Sequence, residues 1–300
     1  MLLVASLVVL AALLAWPVPR ALARATALRR APRAALVLWQ STAVAAVLAA
    51  LLAAPAAIPA VVGRQMRISE QWPVLAIAAA LSGMVAVRLL LSADRVGRSL
   101  RAARRRHREL VDLLGVPGEG PDRHVRVLEH TTPTAYCVPG VRRRVVLTQG
   151  TLERLQPDEL SAVIAHERAH LDARHDLVME FFTVVHEAMP GFLRCDAALL
   201  EVHLLIEVLA DRAAVRRAGP VSTGRAIVAM AAGSGSGPAG SMGMGGGARV
   251  ATARIGLLDA QHIAGLPVAV VAAAMYAVSA VLVALPLSLY GLAIAGLTVV

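Results

Sequence analysis

Charge is almost absent from four stretches of the chain, residues 2–16, 34–62, 73–91 and 267–300. A helix needs about 20 apolar residues to cross a bilayer, and ~17 when short. The pattern predicts four transmembrane helices, at about 2–16, 35–54, 73–91 and within 266–300. Pro286 divides the last run and places its span at about 268–285. The first run is short, and Ala21-Leu22-Ala23 resembles a signal-peptide cleavage site. No positive charge precedes that run, as a signal peptide requires, so it reads as a span.

Between the third and fourth spans the pattern changes. Residues 95–114 continue as a helix, stopped by Gly115-Val116-Pro117-Gly118. Three short β-like runs follow, 124–129, 135–138 and 144–148, separated at Thr132-Pro133 and Pro139-Gly140. They predict a small antiparallel sheet. Either 135–138 or 145–148 is a candidate edge that adds an extended peptide as a further strand, and plain sheet structure explains them equally well. Helical patterns then run from Pro157, from 176 to about 189, and from about 196 to 217, where Gly219-Pro220 ends the last. Residues 233–247 are rich in Gly, Ser and Met and predict a flexible linker; a lid or self-cleavage segment is the weaker reading.

Charge orients this layout. All 30 basic residues are arginine; residues 1–108 hold 15 of them against Glu70 and Asp94, and residues 109–300 hold 15 against 18 acids. The high pI therefore belongs to the membrane half, which excludes a basic nucleic-acid-binding domain. Five arginines crowd the loop 17–34 and seven fall in 95–108, whereas the connection near 64–71 holds two. Positive residues stay inside. The loop 17–34 and the region 93–265 are expected to be cytoplasmic, with both termini outside the cell membrane. Cys137 and Cys195 are then buried structural thiols in a reducing compartment.

The chemistry lies in His166-Glu167-Arg168-Ala169-His170. Pro157-Asp158-Glu159 gives a helix start just upstream. Residues four apart share a helix face, so His166 and His170 can hold one zinc ion while Glu167 sits beside the open coordination position. A catalytic zinc normally takes three protein ligands. Glu207 is the preferred third, with Glu201, His186, Glu187 and His203 as alternatives. In Glu207-Val208-Leu209-Ala210-Asp211 the spacing puts Asp211 one turn on, able to hydrogen-bond a ligating imidazole. His203 shares a face with Glu207 and is placed to contact substrate or the developing oxyanion. Asp172, His175 and Asp176 follow His170 closely; they read by default as solvated charges at a helix end, with orientation of His170 or a partner group as the alternative. The expected fold is an α-helical membrane protein with an α+β zincin-like metallopeptidase domain at 93–265, holding one Zn²⁺ per chain. Glu167 is the expected general base in peptide hydrolysis.

With these motifs and four spans, the chain resembles the BlaR/MecR family of integral-membrane zinc metallopeptidases. The resemblance is most specific over Pro133-Thr134-Ala135-Tyr136-Cys137-Val138-Pro139-Gly140, Val145-Val146-Leu147-Thr148 and the His166–His170 motif. It implies a cytoplasmic gluzincin domain, with His166, His170 and Glu207 as zinc ligands. It also implies regulatory proteolysis of a winged-helix transcriptional repressor as part of signal transduction. The β-lactam receptors of that family carry a penicillin-binding sensor after the last span. This sequence runs to Val300 without one, so direct antibiotic sensing is not expected. A Ste24/HtpX-like quality-control peptidase acting on damaged membrane proteins is the alternative enzyme, and a non-catalytic membrane receptor the alternative outside enzymology.

Overall fold

A computed structural model describes residues 2–58, 68–118, 124–140, 143–233, 248–258 and 267–295. In chain order the helices are α1 (Leu2–Ala15), α2 (Pro17–Arg24), α3 (Pro32–Leu52) and α4 (Ile68–Leu114). Strands β1 (Val116–Pro117), β2 (Val125–Leu128), β3 (Ala135–Val138) and β4 (Arg144–Thr148) follow. Then come α5 (Gln149–Arg154), α6 (Pro157–Asp172), α7 (His175–Ala188), α8 (Asp196–Gly233), α9 (Ala248–Leu258) and α10 (Val268–Ala295). Short 3₁₀ turns occupy Thr26–Arg30, Pro55–Ala57 and Gly191–Leu193. The chain forms two compact units, one from residues 1–94, 182–202 and 266–300, the other from 95–181 and 203–265.

The first unit is helical. Among the described residues four helices are long and apolar enough to cross a membrane: Leu2–Arg24, Pro32–Leu52, Trp72–Leu114 and Val268–Ala295. The segment 17–34, expected as a loop, is instead mostly α2 and a 3₁₀ turn, because Pro17 and Pro32 each start a helix at its first turn. Alanine dominates the packing: Val4, Leu7 and Ala11 meet Ala49, Ala50, Ala53, Ala56 and Ala57. Small side chains let helix backbones approach closely, which suits association where no water drives burial. Ser82 adds a polar tie, donating to the Ala50 carbonyl at 2.7 Å and accepting from the Ala54 amide at 3.1 Å.

The second unit packs helices on a four-stranded sheet of order β1-β2-β4-β3. The expected all-antiparallel arrangement is corrected: β4 runs parallel to β2, with Val125 opposite Val145, and antiparallel to β3, with Ala135 opposite Leu147. Alternating hydrophobicity fixes which side chains face inward and carries no information on strand direction. β3 therefore lies at one edge, with β1 at the other, and β4 is central, so of the two candidates 135–138 is the edge strand. One sheet face, Ala135, Cys137, Val145 and Leu147, packs with Ala162, Val163 and Leu171 of α6 and with α8 and α9. The other, Tyr136, Val138 and Val146, packs on Val111 of α4.

The predicted end of α8 at Gly219-Pro220 is a kink inside a longer element, since Asp196–Gly233 is helical on both sides of it. Gly219 takes φ 82° and ψ 164°, a conformation nearly confined to glycine, and Pro220 restarts the helix. A Cβ there would meet no atom within 4 Å, so substitution costs backbone strain without a clash. Gly219→Ala is expected to destabilise the protein by about 1–3 kcal/mol. Thermal unfolding in detergent checks this; an unchanged midpoint contradicts the assigned conformation. The Gly-rich linker expected at 233–247 lies, from residue 234 on, outside the described residues.

Candidate metal centre

Helix α6 begins as its sequence indicates. Pro157 is its first residue, and the Gln156 amide donates to the Glu159 carboxylate at 3.1 Å. The apolar face, Ala162, Val163 and Leu171, is buried against the sheet, and this turns His166, Glu167 and His170 into the interior. All three are at most 1 % exposed. Helix α8 supplies Glu207 and Asp211, one turn apart and equally buried.

The side chains converge. His166 Nε2 and His170 Nε2 lie 3.0 Å apart, and the Glu207 carboxylate oxygens stand 3.5 and 3.4 Å from them. One ligand atom from each of the three residues falls within 4.8 Å of the others. Four ligands about 2.0–2.1 Å from a tetrahedral ion are separated by about 3.3 Å, close to this spacing. Both carboxylate oxygens of Glu207 are buried without a hydrogen bond among the described residues, although Oε2 has the Arg254 guanidinium 3.0 Å away as a charge partner. Ionised, Glu167, Glu207 and Asp211 carry three negative charges against one on the buried Arg254. The excess of two is what a divalent cation cancels. Donor set, spacing and charge all fit a metal ion.

Each candidate ligand has a partner behind it. His166 Nδ1 lies 2.9 Å from Asp211 Oδ1, and its Nε2 faces the centre. His170 Nδ1 lies 3.0 Å from His175 Nδ1. A tight turn makes that contact: Arg174 adopts φ 52°, and α7 starts at His175 directly below His170. His175 and Asp176, expected to be solvated, are 4 % and 6 % exposed. Asp176 faces Arg104 of α4 at 3.7 Å. Asp172 is the exposed charge of the trio, paired with Arg143. Arg254 of α9 donates from Nε and Nη2 to Asp211 at 2.8 and 2.6 Å, and its Nη1 lies 3.0 Å from Glu207 Oε2.

His203 is half-exposed and 4.0 Å from Glu207 Oε1. The alternative third ligands are engaged elsewhere. Glu201 accepts both prongs of Arg29 at 2.7 and 2.6 Å, His186 pairs with Asp196 at 2.8 Å, and Glu187 pairs with Arg194 at 3.2 Å. Cys137 is buried in β3 and Cys195 is only half-buried. Sequence reasoning missed Arg254; for His175 the contact with His170 favours the alternative, orientation of that ring, over a solvated charge. An arginine among the small and apolar residues of α9 was the available signal for the former.

The electrostatics follow from this packing. Burial pulls His166 down, but the Asp211 bond and then Glu207 outweigh it and hold the ring up at about 9. Burial drives His170 well below its usual range and His175 down to about 4. Burial pushes Glu207 and Asp211 up. For Glu207 the His166 bond and Arg254 reverse this; for Asp211 the Arg254 bond and His166 do, so both carboxyls end below the usual range. Burial works against Arg254, but its bond to Asp211 raises it above the ordinary value.

A proton therefore competes for the position of the ion. Below about pH 9 the metal-free protein protonates His166, and a metal must expel that proton to bind. Apparent metal affinity is expected to rise about tenfold per pH unit between pH 7 and 9 and to level above that. Calorimetry in buffers of different ionisation enthalpy is expected to record about one proton released per ion at pH 7. An affinity flat across this range contradicts the assignment.

Residues 98–221 match the peptidase family M48 model. Over 117 residues the chain is 32 % identical to the plastoglobule-localized metallopeptidase 48, chloroplastic, of Arabidopsis thaliana, covering 36 % of this chain and 33 % of that protein. Over 54 residues it is 39 % identical to the protease HtpX homolog of Thermoplasma acidophilum, covering 18 % and 17 %. The matches thus span a third or less of these relatives' lengths. No solved structure gives a match. The similarities are coarser than the resemblance drawn from the motifs and do not single out BlaR/MecR. Both residues of α8 that face the histidines fall inside the stretch 98–221 that is similar to peptidase family M48.

Proposed function

We propose that the chain is a membrane-associated zinc metalloendopeptidase. The observation that carries this is the fully buried convergence of His166, His170 and Glu207 with Glu167 beside them on α6. Two imidazoles and a carboxylate form a common ligand set of catalytic zinc, with one position left for chemistry. A zinc ion there supplies Lewis acidity and makes water a nucleophile at neutral pH. Glu167 takes the proton of the attacking water and passes it to the leaving amine. Asp211 keeps His166 in the tautomer whose Nε2 lone pair faces inward, and His175 does the same for His170. His203, half-exposed on the same helix as Glu207, is placed to contact substrate or the developing oxyanion. β3 lies at the sheet edge with all four residues buried, which favours plain sheet structure over the addition of an extended peptide strand.

The arginine distribution supports a multi-pass protein with the site unit on the cytoplasmic side and the bilayer around the four apolar helices. Two substrate readings have separate support. The Pro133–Gly140 stretch favours a winged-helix repressor, and therefore regulatory proteolysis. The local similarity to the HtpX homolog favours quality control of membrane proteins. An intact Glu167 beside a complete ligand set favours either over a non-catalytic receptor.

Wild type and Glu167→Gln, purified side by side, test the proposal. About one zinc per chain is expected in both. Cleavage is expected from wild type, with a loss of at least about 10²–10⁴-fold in the variant. Offering a winged-helix repressor and an unfolded membrane protein as substrates separates the two readings. Absence of metal from both preparations sinks the metallopeptidase assignment.

A further inference from the structure

Arg254 is the largest fully buried side chain among the described residues, 1 % exposed, and it comes from α9, outside the stretch that matches peptidase family M48. An uncompensated guanidinium is costly in such a place. Its surroundings show what it is for. Nε and Nη2 grip the two oxygens of Asp211 in a two-pronged bond, and Nη1 reaches Oε2 of Glu207. Asp211 Oδ1 in turn lies 2.9 Å from His166 Nδ1. One planar cation therefore contacts the candidate third ligand directly and the first histidine through one carboxylate.

We propose that Arg254 is a positioning residue of the metal centre. It clamps Glu207 by one oxygen, so that Oε1 stays directed at the ion, and it fixes the Asp211 carboxylate that aims His166. A flat guanidinium satisfies both tasks at once because its donors leave one plane in fixed directions. A lysine ammonium carries the same charge as a point and cannot bridge two carboxylates one helical turn apart in this fashion. The centre is thereby completed by α9, a helix that supplies no candidate ligand itself. This rests on the metallopeptidase reading above, and the test is arranged to separate the two.

Full-length protein in detergent is stripped of metal and titrated with Co²⁺, whose absorption reports ligand geometry. The variants are Arg254→Met, Arg254→Lys and the double variant Asp211→Asn/Arg254→Met. The double variant deletes one positive and one negative buried charge together, so it keeps the charge balance if the single variant fails to fold. The carboxamide introduced by Asp211→Asn can still accept from His166, which leaves the clamp on Glu207 as the missing element. Arg254→Met and the double variant are expected to bind Co²⁺ about 10–100-fold more weakly, with altered spectra. Arg254→Lys is expected to recover only part of the affinity. A folded double variant with wild-type Co²⁺ affinity and spectrum overturns the role of Arg254. Full recovery by Arg254→Lys also overturns it, since charge alone would then suffice. Failure of the wild type to bind Co²⁺ removes the metallopeptidase reading instead.

Discussion

Bringing several carboxylates out of water into one small volume is the constraint on which the second unit depends. Glu167, Glu207 and Asp211 are all at most 2 % exposed. Like charges so placed repel strongly, and each has given up its hydration. The unit answers with positive charge from three sources. Arg254 is permanent, the proton on His166 is exchangeable with pH, and a divalent ion held at the candidate centre would be the third. The same histidine that binds a proton in the metal-free state would give it up to the ion, so the buried charge stays near balance in both conditions. The sheet and the apolar faces of α6, α8 and α9 hold these groups close enough for the exchange to occur.

Much of this was legible in the sequence, for reasons that differ by element. His166, Glu167 and His170 were legible because a helix converts a four-residue interval into a shared face. Glu207 and Asp211 were legible for the same reason on a second helix. Residues acting across a turn or from a remote helix were not. His175 sits five positions after His170 but on another helix, so no periodicity links them. Arg254 is 43 residues from Asp211 in sequence, and nothing in the interval announces that their helices meet. The positions of β2, β3 and β4 were recovered almost to the residue from alternation and turns, whereas the two-residue β1 lies within what reads as a helix stop. Strand direction was not recovered, because a parallel β2–β4 pair and an antiparallel one present the same inward-facing residues.

The first unit obeys a different economy of contacts. Its helices carry few large side chains at their points of approach, and alanine fills the positions where backbones come near. Polar ties such as Ser82 to the Ala50 carbonyl satisfy side chains that have no water to turn to. Outside the apolar core, long-range ion pairs take over: Arg29 grips Glu201 with two donors, which joins the short 3₁₀ turn before α3 to the start of α8. The glutamate that sequence alone allowed as a metal ligand is thus committed to holding helices together.

The turn between α6 and α7 has the character of a ruler. It reverses the chain within Ala173 and Arg174, and Arg174 sits at φ 52°, a region where side chains other than glycine are uncommon. One residue more would swing the start of α7 by about 100° around its axis, the rotation per residue of a helix with 3.6 residues per turn. His175 would then leave His170 behind. The interval from the second histidine of the motif to its supporting imidazole is therefore fixed in length, and Leu171 within it is held by the core, whereas the exposed positions 172–174 are free to vary. Relatives that keep this support should show drift in composition at those exposed positions and no change in the count of the interval.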